Sequence, residues 1–328
     1  MTAMPMNVSI TYFGKVPSRG DFVKSGSSLP LLTSLDNWLA RAMESMSIDA
    51  RWKTTYDEVQ PFHFAFLGSR SKLAIAGHFI ASADAAHRRF PFVTAVTMEV
   101  DEAKTFVFRS PLVLSSLWTR LAQLSSSAVR SVDATPDLNG IAGAPIQLDL
   151  GSTAQNKDFT EFLELQTVSS LDRLLRDGGF EGNCRQLILG LGLLLQPVMA
   201  SGSNRLEKCL CLPLPIDPLA QYPVAAFWLS LINPFLQRAD FELSIFFTKS
   251  GQRSVLVVGF SGASSLTLEA VLNPQVAKDH FIGFDDAQWV EETVVSDYGV
   301  AKVASYLEQP RLSLASVGRY FNDVFLGV

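Results

Sequence analysis

At 328 residues, 48% of them hydrophobic and only 18% charged, the chain can bury one large core or two moderate ones. That balance, with a mean hydropathy of +0.20, excludes a disordered chain. The net charge of −5 excludes a general affinity for nucleic acid or anionic lipid. The sign is uneven, a net +4 over residues 1–130 against −9 over 131–328. Two lobes that attract each other, two partner surfaces, or plain drift in surface composition all fit that split.

In chain order, "NVSITYF" comes first, with Val8, Ile10 and Tyr12 alternating as in a half-buried strand. Pro17, Ser18 and Gly20 then signal a turn. From Leu29 to Met46, apolar residues recur at three- and four-residue steps with Trp38 beside them, which predicts an amphipathic helix. Three strands follow in "FHFAFLG", "LAIAGHFIAS" and "FPFVTAVTMEV", the first two as a hairpin. "SPLVLSSLWTRLAQLSSSAVR" predicts a helix capped by Ser110 with Pro111 at its first position. Residues 131–155, rich in Gly, Pro, Ser and Asp, read as a linker, which sets domain limits of 1–145 and 146–328, possibly within one sandwich.

The second half predicts helices over 158–176 and 182–199, a strand at "KCLCLPL", and a proline-punctuated helix in "PIDPLAQYPVAAFWLSLINPFL". "FELSIFFTK" and "SVLVVGF" form a hairpin across "SGQR", and a final helix runs near 313–325. Interleaved strands and helices without pure βαβ repetition give an α/β class, a three-layer α/β/α sandwich over a mixed β-sheet, rather than a Rossmann topology. "LILGLGLLLQPVMA", 187–200, is too short and too interrupted to span a membrane and reads as a buried helix. The first residues show no signal peptide, which points to the cytoplasm. Cys184, Cys209 and Cys211 are too few for a disulfide framework; the last two are expected on opposite strand faces, as small buried hydrophobes.

Three segments could carry function. "FGKVPSRGDFV", 13–23, holds Gly14-Lys15 without the second glycine of a phosphate loop, and Pro17 removes a donor amide. An adhesion tripeptide does not suit a cytoplasmic chain. What remains is a sharp corner: Pro17 fixes its own φ, Gly20 permits φ > 0, Asp21 bonds nearby amides, and Arg19 is held on a stiff loop for a carboxylate or phosphate. "SADAAHRRFPF", 82–92, brings Asp84, His87, Arg88 and Arg89 into a strand connection, as an anion-binding entrance or a solvated loop. "LPLPIDPLAQYPVAAFWLSLI", 212–232, is a proline-stiffened approach to a helix with Asp217 as N-cap.

Catalytic signals are few. His63 and His78 lie inside apolar strands as core imidazoles, and no Gly-x-Ser-x-Gly elbow occurs. His280 near Asp285 and Asp286, with Asp217, lacks fixed ligand spacing, so neither metal nor cofactor is expected.

These three segments resemble the TagF family of type VI secretion accessory proteins, also called ImpM. "YFGKVPSRGDFV" is similar to the family's "YGK-L-P-x-RGDF" opening, and "LDNWLARAM" to its "D-x-WL" helix. "GHFIASADAAHRRFPF" is similar to its "P-S-x-D-x-x-GR-x-FP" hairpin, and "LPLPIDPLAQYPVAAFW" to its "P-x-DP…FW" segment. Here His87 replaces a frequent Gly, and Ala81 a frequent Pro. The resemblance implies a bacterial three-layer α/β/α protein of the cytoplasm. Such a protein is a non-enzymatic, post-translational repressor that binds the forkhead-associated scaffold Fha and opposes a threonine kinase pathway linked to a PP2C-type phosphatase. No phosphatase domain is present, and no nucleic acid or membrane partner is implied.

The expected partner face is Arg19, Asp21, Arg88 and Arg89, gathered at one end of the N-terminal sheet, some pairing internally. Gly14, Pro17, Gly20, Trp38, Asp84 and Asp217 are its framework. Two other readings stay open. One is a hydrolase or nucleotide-binding enzyme with an α/β cleft lined by Arg88, Arg89 and Asp217; the other is a structural subunit of the secretion baseplate.

Overall fold

The computed structural model describes residues 6–26, 28–151, 153–201, 206–236 and 241–327, the side chains of 153–155 and 199–201 excepted. The first half runs β1 (Met6–Val8), β2 (Thr11–Gly14), β3 (Val23–Ser25), α1 (Leu29–Met46), α2 (Trp52–Asp57), β4 (Phe62–Gly68), β5 (Leu73–Ile80), β6 (Phe92–Glu99), α3 (Ala103–Arg130), α4 (Thr135–Gly143) and β7 (Ile146–Leu148). The second half adds α5 (Thr153–Leu165), α6 (Val168–Asp177), α7 (Cys184–Ser201), β8 (Cys209–Pro213), α8 (Pro218–Leu236), β9 (Glu242–Ser250), β10 (Arg253–Gly259), α9 (Ser265–Leu272), α10 (Pro274–His280), β11 (Phe281–Ile282), α11 (Val290–Ser296), α12 (Tyr298–Leu307) and α13 (Leu314–Phe325). The signal-peptide reading rests on residues 1–15, of which residues 1–5 lie outside the described residues.

Among the described residues, nine strands form one sheet in the order β11-β8-β10-β9-β4-β5-β6-β2-β3. Pairing is antiparallel except between β11 and β8, so the sheet is mixed. Strands from both halves of the sequence share it, because β4 pairs with β9 from His63↔Phe247 to Gly68↔Glu242. Helices cover both faces, which makes the three-layer sandwich. On one face α1 and α9 bury Leu35, Trp38, Leu39 and Leu268 against Phe64, Phe246 and Val257. On the other, α3 and α8 bury Leu117, Trp118, Phe227 and Trp228 against the sheet, with α7 and α13 behind them.

The three buried indoles each meet a backbone carbonyl, as buried Trp requires. Trp38 Nε1 donates to Ser264 O at 3.2 Å, Trp118 Nε1 to Phe64 O at 3.1 Å, and Trp228 Nε1 to Pro213 O at 3.0 Å. Among the described residues, α8 is the helix long and apolar enough to cross a membrane. Its Val224, Phe227, Trp228, Leu231, Ile232 and Phe235 are instead spent in the core.

Several elements differ from the sequence expectation. "NVSITYF" divides: β1 pairs with β7 in a separate ribbon, while β2 joins the main sheet. Ser110 and Pro111 do not begin a helix; they lie inside α3. Pro111 cannot bond the carbonyl of Val107, and the Ser110 hydroxyl donates to that carbonyl at 2.9 Å, which lets the helix run through. The helix expected over 158–176 breaks at Thr167, which caps α6 in a reciprocal box with Ser170. The stretch read as a linker holds α4 and β7, with Ile141, Ile146 and Leu148 buried. Cys209 and Cys211 share one sheet face, because residues two apart on a strand point the same way.

Candidate functional site: an ion-paired corner at one end of the sheet

β2 ends at Gly14, whose φ is +136°. A Cβ at this position would lie 1.9 Å from the Pro91 carbonyl oxygen. Glycine is therefore required twice over, for its dihedral and for the close approach of β2 to the start of β6. The chain then turns through Pro17 and Ser18, with Arg19 N–H donating to Val16 O at 3.0 Å. Gly20 is different from expectation. It is not among the positive-φ residues, and a Cβ there meets nothing within 4 Å. The glycine that the corner depends on is Gly14.

The turn docks on the β5–β6 connection. Ala85 N–H donates to Arg19 O at 2.8 Å, and Arg88 Nη2 donates to Gly20 O at 2.7 Å. Beneath them lies Asp84, its side chain fully buried. The carboxylate accepts from the Ala86 amide (3.0 Å), the Arg88 amide (2.9 Å), Arg88 Nε (2.7 Å) and Lys15 Nζ (3.0 Å). Burial alone would raise the Asp84 carboxyl, but the Arg88 amide, the Lys15 and Arg88 side chains and the Ala86 amide together hold it far below the usual carboxylate range. Lys15 also sits 4.9 Å from the Phe22 ring centroid. Phe22 stacks on Phe13 at 5.5 Å and meets Phe90 edge-on at 4.9 Å, forming an aromatic cover over the pair.

The three candidate arginines all find internal partners. Arg19 donates to Asp133 Oδ1 at 3.4 Å and to the Thr135 hydroxyl, tying the corner to the start of α4. Ser18 Oγ accepts from Ala134 N–H at 3.1 Å in the same place. Arg88 is held by Asp84 and Gly20, yet its side chain remains 62% exposed. Arg89 forks onto Asp57 at the end of α2, Nε to Oδ1 at 2.8 Å and Nη2 to Oδ2 at 2.6 Å. That hydrogen-bonded fork holds the Asp57 carboxyl below its ordinary value. Asp21 is exposed and accepts from the following Phe22 amide at 2.8 Å. His87 takes φ +59°, the left-handed conformation, where its amide donates to Asp84 O at 2.8 Å.

Arg19, Asp21, Asp84, Arg88 and Arg89 are thus brought to one end of the sheet. Trp38 is elsewhere, on the buried face of α1, among Phe64, Phe66 and Phe246. Asp217 caps α8, accepting from Leu219 N–H at 3.0 Å. The registers Phe62↔Phe79, His63↔Phe247, Arg253↔Ser250 and Val255↔Pro213 put the ends of β5, β9 and β8 at the same sheet end. β8 is nevertheless four strands from β5. At about 4.8 Å per strand, that is a lateral separation of about 19 Å. Of the four best-formed cavities of the described residues, about 300 to 430 Å³ each, none is lined by Arg88, Arg89 or Asp217.

Sequence reasoning missed Lys15, Asp57, Asp133 and Thr135. Lys15 had a signal, a lone cation between Gly14 and Val16 at a buried strand end. Asp57 and Asp133 had none, since they meet arginines 32 and 114 residues away. The histidines also pair off. His63 and His78 sit opposite each other on β4 and β5 with Nδ1 atoms 3.0 Å apart. His280 Nε2 lies 3.4 Å from Cys209 Sγ, while Asp285 forks onto Arg253.

Every member of this corner falls between residues 13 and 135. Comparison with curated proteins finds no match. Among solved structures, the crystal structure of PA0076 from Pseudomonas aeruginosa PAO1 is similar at 21% identity and a TM-score of 0.34, covering 43% of this chain. The chain spans 65% of the length of that protein, less than two thirds. Residues 11–140 match the family model of the TagF N-terminal domain, described as type VI secretion system-associated. Residues 11–140, which contain the whole ion-paired corner, are thus a TagF N-terminal domain.

Proposed function

We propose that this type VI secretion accessory protein is a non-enzymatic, cytoplasmic, post-translational repressor that binds the forkhead-associated scaffold Fha. The observation that carries the proposal is the TagF N-terminal domain itself, matched over residues 11–140. The partner meets the sheet end that carries the corner. There the exposed Asp21 carboxylate, the open face of Arg88 and the half-exposed Phe22 ring offer charge of both signs beside an aromatic. The ion pair to Asp84 and the bond to Gly20 O hold Arg88 still, which lowers the entropy lost on association. Binding represses by competition: scaffold held by this protein is withheld from the assembling apparatus and from the threonine kinase and PP2C-type phosphatase that act on it. A stable complex of this kind buries about 1,200–2,000 Å², so the corner orients the partner and supplies a minority of the contact area.

The test is calorimetric titration against the Fha homologue of the same cells. Wild type is run beside an Arg19→Ala/Arg88→Ala/Arg89→Ala variant and an Asp21→Lys variant, each with its folding checked by thermal melt. Saturable wild-type binding that a folded variant loses supports the reading. Binding unchanged in both variants moves the interface off the corner, and no wild-type binding sinks the direct repressor mechanism.

A further inference from the structure

A second cluster of polar side chains lies across the sheet from the corner, on the face that Cys209, Val255 and Val257 share. Cys209 of β8, Gly259 of β10 and Ser244 of β9 stand side by side there. Gly259 pairs with Ser244, and Cys209 follows the Leu210↔Val258 pair. Thr267 of α9 and His280, the last residue of α10, meet the Cys209 end of this row.

Cys209 Sγ is 3.4 Å from His280 Nε2 and 3.5 Å from Thr267 Oγ1, and the last two atoms are 3.3 Å apart. Hydrogen bonds cannot account for the whole triangle. A ring of three bonds would need Nε2 to donate one proton and accept another, which an imidazole nitrogen cannot do. At most two sides carry a bond, and the Oγ1–Nε2 side is long for one. Beside the triangle, Ser244 Oγ is fully buried and has no hydrogen-bond partner among the described residues. A Cβ on Gly259 would lie 2.5 Å from that oxygen and 3.3 Å from Cys209 Sγ, so the glycine keeps the space between them clear. A single cation would satisfy all three corners of the triangle at once. The point in their plane equidistant from the three atoms is about 2.0 Å from each. A small step out of that plane reaches the about 2.0–2.1 Å of a zinc–imidazole bond and the about 2.3 Å of a zinc–thiolate bond.

We propose that Cys209, Thr267 and His280 form a binding site for one zinc-type divalent cation. Cys209 Sγ and His280 Nε2 supply the strong bonds and select a borderline-soft ion over magnesium or calcium. Thr267 Oγ1 adds a weaker, neutral ligand, and a water completes the tetrahedron with Ser244 Oγ as its hydrogen-bond partner. Burial and the nearby Lys208 charge hold His280 below its ordinary value, which leaves the Nε2 lone pair free at neutral pH. The same Lys208 charge opposes a cation, and the Cys209 thiolate offsets it. Burial pushes the Cys209 thiol up to about 11, so it stays an S–H until metal displaces the proton. Binding replaces the S–H bond by a sulfur–metal bond and releases that proton to solvent, with no change of oxidation state. The half-buried His280 ring is the entry path, since Cys209 and Thr267 are each 2% exposed. Cys209 and His280 stand 71 residues apart, so no spacing motif announces the pair. The site uses no residue of the corner and does not depend on the partner reading above.

The test titrates the full chain, reduced and stripped of metal, with Zn²⁺ against a chromophoric chelator, and with Co²⁺ as a spectroscopic stand-in. One ion per chain is expected, with about one proton released per ion at neutral pH and a thiolate-to-cobalt absorption band. Cys209→Ser is expected to remove the band. His280→Gln, at a partly exposed position, is expected to weaken binding by more than about tenfold. Cys211→Ser is the control that keeps both band and affinity. Thermal melts without metal check that each variant folds, and added Zn²⁺ is expected to raise the Tm of wild type and Cys211→Ser alone. Absence of stoichiometric binding, binding without a thiolate band or proton release, or full affinity in a folded His280→Gln chain each overturns the proposal.

Discussion

Substituting alanine for either of two glycines six residues apart separates the part of the corner that is fixed by the backbone from the part that is not. At Gly14 the new Cβ would lie 1.9 Å from Pro91 O and 2.8 Å from Phe92 Cα. Both atoms are backbone, so no rotamer change relieves the clash. The neighbours are held by the Gly14↔Phe92 pairing and by Lys15 N–H donating to Pro91 O at 3.3 Å. At φ +136°, a side chain itself costs about 1–3 kcal/mol. Separating the strands adds the loss of one or two ladder bonds at about 1 kcal/mol each. The sum is about 2–5 kcal/mol, reaching the diagnostic end of single substitutions. With an unfolding entropy of about 2.1 cal/mol/K per residue, that lowers the melting temperature by about 3–7 °C for the 328-residue chain unfolding as one unit. Gly20→Ala should stay within about 0.5 kcal/mol, since its Cβ meets nothing. Circular-dichroism melts of the two variants decide the matter. Equal shifts, or a Gly14→Ala protein as stable as wild type, would refute the argument that Gly14 sets the approach of the corner to β6.

Other outcomes follow from single contacts. His87→Gly should stabilise the chain by about 0.5–1 kcal/mol, because glycine takes the left-handed conformation without the Cβ penalty but loses more chain entropy; urea midpoints measure it. Asp217→Ala should cost about 0.5–2 kcal/mol as a lost N-cap and leave Fha binding untouched, which a titration beside wild type checks. Burial pushes His63 down to about 3 and His78 down to about 4, with the neighbouring imidazole adding to the first. The unfolded chain therefore takes up protons below about pH 6.5 that the folded chain refuses. Stability should be level above pH 7 and fall between about 6.5 and 4, and His63→Gln/His78→Gln should flatten that limb of the urea-midpoint profile. The loss from Asp57, Asp84 and Glu291, whose folded carboxyls are depressed, belongs to a separate window, below the ordinary carboxylate range.

The sequence by itself determined the elements whose signal is local. The three- and four-residue apolar steps of α1 appear in the structure with the limits read from them, Leu29 to Met46. The "SGQR" hairpin forms with Gly251 at φ +62°, because a two-residue turn needs a residue tolerant of that conformation. Ser313 caps the last helix, with its side chain accepting from Ser316 N–H. The motifs at 13–23 and 82–92 were legible as corners because Pro, Gly and Asp mark backbone geometry within a few residues. Tertiary structure decided what depends on distant partners. Pro111 could sit inside α3 only because packing of Leu114, Leu117 and Trp118 outweighed one missing bond, whose carbonyl Ser110 repairs. The β4–β9 ladder, joining residues about 180 apart, carries no local signature at all. Neither does the fate of the arginines: Arg19 and Arg89 are tied to Asp133 and Asp57 by charge and geometry that exist only once α2 and α4 have docked. Propensity acts between neighbours in the chain, whereas ion pairs and cavities are made by elements that the fold brings together.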